Sequence, residues 1–136
     1  AGLPGLFDVL SPNEAEAEAL TGVAVREVAD ARRAAQRLRE MGARDVVIKL
    51  GERGAYWLGP DGEQHSPAFA VTPVDSTAAG DAFSAALAAG LATGASMPEA
   101  MRRANAAGAL ACLKLGAQPS MPTRDAVQAF LREHSV

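Results

Sequence analysis

The chain has 136 residues, 49 % hydrophobic, 21 % charged and 4 % aromatic, with a formal net charge of −3. That length suits one domain with a real core and is short for two, and so few aromatics mean a core built from Ala, Leu and Val. The charge argues against an electrostatic nucleic-acid platform, and the apolar runs break well before a bilayer's width, so no membrane-spanning helix is expected.

The N-terminal Ala1-Gly2-Leu3-Pro4-Gly5 lacks the charged region of a signal peptide. A single cysteine, Cys112, rules out an intramolecular disulfide and fits a reducing cytoplasm. It lies in a helical apolar pattern and reads as a buried structural thiol. The chain opens without Met, in what reads as a loop before a strand, so it is expected to be part of something longer.

In chain order, Leu6–Leu10 is a short strand candidate and Ser11-Pro12-Asn13 a turn able to open a helix. Glu14 to Leu20 has helical character and stops at Thr21-Gly22. Val25 to Met41 carries Val28, Ala31, Ala35, Leu38 and Met41 at helical spacing, with Gly42 as its stop. Asp45–Leu50 is a β-branched apolar run read as a buried strand. Gly51-Glu52-Arg53-Gly54 is a turn, and the runs flanking Gly59-Pro60-Asp61-Gly62 form a hairpin. Residues 66–74 read as extended, with Phe69–Val74 strand-like. Helices are expected near 80–93, 97–114 and 123–134, the last two opened by Pro98 early in the helix and by Thr123 with Asp125. Strands alternating with helices, without repeat or low-complexity linker, indicate an α/β layer fold.

Asp75-Ser76-Thr77-Ala78-Ala79-Gly80-Asp81 is the stretch around which the rest is organised. A turn of small residues opening a helix exposes unpaired N–H groups at the positive end of the helix dipole, a ready anion site. A carboxylate fixed there is a weak base. Phosphoryl transfer tolerates one, because in a loose transition state the attacking hydroxyl loses its proton late. The amides of Ala79, Gly80 and Asp81 would stabilise charge while Asp81 orients the hydroxyl. From spacing alone, an ordinary first-turn acid on a packing helix is an equal reading.

This stretch resembles the C-terminal signature of the ribokinase-like (pfkB) carbohydrate kinases, with Ala78 where many members carry Gly. The resemblance implies that Asp81 is the catalytic base and that the amides before it form the anion hole. Ser11-Pro12-Asn13-Glu14-Ala15-Glu16 resembles the family's Asn-x-x-Glu element. That implies Asn13 near the nucleotide phosphates and Glu16 acting on Mg2+ through water; the plain alternative is a helix cap. Lys49-Leu50-Gly51-Glu52-Arg53-Gly54 resembles the family's loop around the ATP phosphates and ribose, and by itself is only a glycine turn. Asn105 would line the adenine pocket, or be a core Asn satisfied by backbone.

The tail Gly116–Pro122 resembles that of ribokinases, which surrounds a monovalent cation. By residue matching, Asp75, Thr77, Ala111, Lys114, Gly116 and Ser120 would ligate K+. His65 and His134 read as surface residues, and Glu14, Glu18, Arg32, Arg33, Arg37 and Arg39 as solvated helix charges.

The resemblance covers about Phe7 to Leu131 and only the C-terminal half of such a kinase, without the family's Gly-Gly sugar element or lid. The expectation is therefore a single partial domain, residues 1–136, of ribokinase-like α/β fold. It would be cytoplasmic, with ATP and a sugar (ribose first) as partners, inactive alone, and prone to self-association through an open sheet edge. Fructokinase, ketodeoxygluconate kinase, nucleoside kinase and a non-catalytic nucleotide-binding fragment are the alternatives.

Overall fold

The structure is a computed structural model that describes residues 9–71, 78–113 and 122–134. It divides into two compact units, Ala1–Ser66 and Pro67–Val136.

The first unit is a four-stranded sheet with two helices. Strand β1 (Val9–Leu10) is followed by α1 (Glu14–Thr21), α2 (Val28–Glu40) and β2 (Asp45–Lys49). A 3-10 turn, Gly51–Arg53, leads to β3 (Ala55–Gly59) and β4 (Gly62–Ser66). The strand order is β1-β2-β3-β4: β1 and β2 are parallel, joined by the helical crossover, and the others are antiparallel. The period of two sorts β2 into faces. Val46 and Ile48 join Tyr56, Ala31, Ala34, Ala35 and Leu38 in one core, while Val47 pairs with Trp57 on the other face. Small residues on α2 let that helix sit close to the sheet. The hairpin closes at Gly59 and Gly62 around Pro60-Asp61, as expected.

The helix expected from Val25 begins three residues later, at Val28. Asp30 Oδ2 accepts from the backbone N–H groups of Arg26 (3.0 Å) and Glu27 (3.1 Å), which holds them outside the helix as its cap. Those bonds, Arg26's foremost, with the Arg33 guanidinium, hold the Asp30 carboxyl below its ordinary range despite some desolvation. Burial, then the hydrogen bond to Glu63, pushes the Tyr56 phenol up.

The second unit holds α3 (Ala79–Ala92), α4 (Met97–Cys112) and α5 (Arg124–Glu133). Ser96 and Thr123 cap the last two, accepting from Glu99 N–H (3.3 Å) and Ala126 N–H (3.1 Å). Helices α3 and α4 run antiparallel at close range. A Cβ on Gly90 would lie 3.3 Å from the Ala100 Cβ, and one on Gly108 would lie 3.4 Å from the Ala79 carbonyl oxygen. Alanines 82, 106, 107, 109 and 111 with Val127 and Phe130 form the core.

The described part of the strand-like run, residues 69–71, is not a strand. Phe69 instead packs edge-on against Phe130, with centroids 5.2 Å apart, so its side chain serves the helical core. Cys112 is half-buried rather than buried. His134 is exposed, yet stacks on Phe130 at 4.0 Å. Among the described residues no helix is long and apolar enough to cross a membrane.

Candidate functional site

The first unit gathers one group of expected site residues at the C-terminal ends of β1 and β2, where open α/β sheets place their ligands. The pairing continues past the strands: Lys49 N–H donates to the Pro12 carbonyl at 2.9 Å, and Asn13 bridges to Lys49. Asn13 then caps α1. Its Oδ1 accepts from Glu16 N–H at 2.8 Å, and Glu16 Oε1 accepts from Asn13 N–H at 2.9 Å. This reciprocal box is the helix-cap alternative realised. It also orients the Glu16 carboxylate, which is solvent-exposed with one oxygen engaged and the other open to a cation or its water. Among the described residues no cluster of His, Cys, Asp or Glu could hold a metal by itself.

The Gly51–Gly54 turn begins where β2 ends. Gly51 (φ 59°) and Gly54 (φ 91°) both lie in the left-handed region, which is why glycine stands at each end. Leu50 N–H donates to the Gly54 carbonyl at 2.8 Å and Arg53 N–H to the Leu50 carbonyl at 3.1 Å. Glu52 is exposed. Arg53 points back at α1: its guanidinium donates to Glu14 Oε2 at 3.1 Å and to the Arg26 carbonyl. Glu14 is thus a partner of this turn and not a merely solvated charge. His65, exposed as expected, has its Nε2 2.6 Å from the Arg53 carbonyl.

Ser11, expected only as part of the helix-opening turn, has its Oγ buried without a hydrogen-bond partner among the described residues.

In the second unit, the N-cap of α3 is Ala78, which supplies no side-chain bond to the first-turn amides. Among the described residues nothing lies within 4 Å of a Cβ built on Gly80, so the helix start is open to them on that side. Asp81 is exposed in the first turn. Helix α4 reaches this turn through Gly108, against Ala79. Asn105, three residues earlier and so on a neighbouring line of the same helix, is buried, with Nδ2 3.4 Å from the Pro67 carbonyl. Ala111 is buried near the end of α4. Asp75, Thr77, Lys114, Gly116 and Ser120 lie outside the described residues. A cavity of about 280 Å³ among α3, α4 and α5 is lined by Ala85, Ala89, Arg103, Arg124 and others, and by none of the expected site residues.

The model of the pfkB family carbohydrate kinases matches residues 2–124. The chain belongs to this family. Over 98 % of its length it is 39 % identical to a ribokinase of Haemophilus influenzae, and it covers 43 % of that protein. Its fold is ribokinase-like α/β. The solved structure of Arabidopsis thaliana ribokinase complexed with ribose and ATP matches 96 % of the chain with a TM-score of 0.89 and 35 % identity, over 42 % of that protein. A putative ribokinase II from E. coli in complex with ATP and Mg2+ matches 96 % of the chain with a TM-score of 0.84 and 29 % identity, over 41 % of that protein. The chain therefore spans about two-fifths of the length of these three proteins.

Proposed function

We propose that this chain is the nucleotide-binding part, in one partial domain, of a cytoplasmic ATP-dependent sugar kinase that phosphorylates a hydroxyl of a sugar, ribose first. The observation that carries the reading is the start of α3 in a pfkB kinase: a helix N-terminus whose N-cap, Ala78, supplies no side-chain bond, open at Gly80 among the described residues, with Asp81 in its first turn. Backbone amides at the positive end of a helix suit a transferring phosphoryl group, and a carboxylate in the first turn suits the attacking hydroxyl.

Asp81 takes the proton, and Ala79, Gly80 and Asp81 cradle the phosphoryl group. Asn13 and the backbone of Lys49 to Gly54 hold the nucleotide phosphates and ribose, and Asn105 borders the adenine. Glu16 supports Mg2+ through water, which would supply charge neutralisation at the phosphates. A monovalent cation near Asp75, Thr77, Ala111, Lys114, Gly116 and Ser120 would stiffen the anion hole.

The test is Asp81→Asn in the whole kinase. Turnover should fall by about 10²- to 10⁴-fold while MgATP binding persists. Surviving turnover would remove Asp81 from the chemistry. A panel of ribose, fructose, ketodeoxygluconate and a nucleoside, with and without K+, assigns the acceptor.

A further inference from the structure

We infer that Arg53 is a positioning residue, a strut that holds the Gly51–Gly54 turn in the shape its backbone needs to meet a nucleotide; this rests on the nucleotide reading above. A turn with glycine at both ends has much conformational freedom to lose on ordering. It is pinned here at Arg53, whose carbonyl lies 2.6 Å from His65 Nε2. One guanidinium nitrogen donates to Glu14 Oε2 at 3.1 Å and the other to the Arg26 carbonyl. With its guanidinium turned to these acceptors, Arg53 acts on a ligand through the turn.

The partner on α1 matters as much as the bond. Glu14 is the first residue of α1, between Asn13 and Glu16, which box the same helix end. The guanidinium therefore ties the Asn-x-x-Glu element to the glycine turn, two segments that share a ligand in the nucleotide reading. Two acceptors in different directions require the planar fork of Arg, which a Lys ammonium on one flexible stem does not replace.

An ion pair with both side chains 38 % exposed adds little to global stability. Its effect is expected on the turn. The experiment compares Arg53→Ala, Arg53→Lys, Glu14→Gln and the double variant Arg53→Ala/Glu14→Gln, using two readouts on the whole chain. One is amide hydrogen exchange at residues 51–54 without nucleotide, and the other is MgATP affinity by calorimetry, with Tm as the folding control. Each single variant should speed exchange in the turn and weaken MgATP about three- to tenfold at nearly unchanged Tm. The double variant should be no worse than Arg53→Ala alone, because both changes break one interaction.

If Glu14→Gln changes neither readout, or its loss adds in full to that of Arg53→Ala, the strut is refuted. If Arg53→Lys matches the native chain in both readouts, the fork is refuted. If the native chain binds no MgATP while Glu14→Gln still speeds exchange, the strut stands as a structural device and the nucleotide reading falls.

Discussion

Glu16 has one observed duty, the helix cap, and one proposed duty, toward Mg2+, and one substitution separates them. As the third residue of α1, closing the capping box, it accepts from Asn13 N–H at 2.9 Å, a bond that needs only an acceptor oxygen. As a support for Mg2+ it needs charge. Glu16→Gln keeps the first and removes the second. Both partners are solvent-exposed, so deleting the box through Asn13→Ala should cost about 1 kcal/mol, roughly 3–5 °C in Tm for a chain of this size. Glu16→Ala removes a single exposed hydrogen bond and should cost about 0.5 kcal/mol. Glu16→Gln should unfold within about 1 °C of the native chain.

The same variant should lose MgATP affinity by about tenfold or more, the usual scale for removing a group that acts on a metal through an intervening ligand. It should lose little when ATP is titrated with Mg2+ chelated. Calorimetric titrations with and without Mg2+, beside thermal melts, read both quantities. Glu16→Gln binding MgATP as tightly as the native chain would refute the cation role. A melt as low as that of Asn13→Ala would refute the capping account instead.

Two further outcomes follow from other parts of the molecule. A Cβ on Gly59 would fall 1.9 Å from Asp45 Oδ1 and 2.8 Å from Trp57 Nε1, where the indole N–H donates to Asp45 at 2.8 Å. Gly59→Ala should displace the carboxylate, strand a buried donor and cost about 2 kcal/mol; fluorescence of Trp57, the one tryptophan, reports the change, and only the part due to Asp45 should vanish in an Asp45→Ala background, since the contact with Trp57 remains. Asp30 has its carboxyl held low by backbone donors, so its folded value lies below its unfolded one and its contribution is present above the unfolded value and lost on acidification. The Tm deficit of Asp30→Ala should therefore be full near neutral pH and shrink as pH falls below about 4.

Much of this fold is legible from neighbours in sequence, because its decisive signals act over three or four residues. The Asn13–Glu16 box, Gly22 in the left-handed region at φ 75° after α1, and the Gly59–Gly62 hairpin are each set by local backbone chemistry. The start of α3 belongs with them, since a run of small residues followed by an acid is a local helix-opening signal. Two departures had different causes, one local and one across the fold. Val25 fits the helical period of α2, but Asp30 draws the N–H groups of Arg26 and Glu27 out of the helix. Phe69 and Val71 look like alternating strand residues, yet both pack against the helical core around Phe130.

What periodicity cannot carry is the polar contact made across the fold. Glu14 and Arg53 stand 39 positions apart, each with the look of a solvated charge, and pair only once the crossover brings the start of α1 beside the end of β2. Asn105 and the Pro67 carbonyl are 38 positions apart. In both cases the residue's type was visible and its partner was not. A charge that serves a site through a distant partner leaves no pattern in its own neighbourhood, since the short-range rules account for it already as surface. That is why the Asn-x-x-Glu box and the glycine turn could be read as separate motifs, while the guanidinium that joins them had to be found in three dimensions.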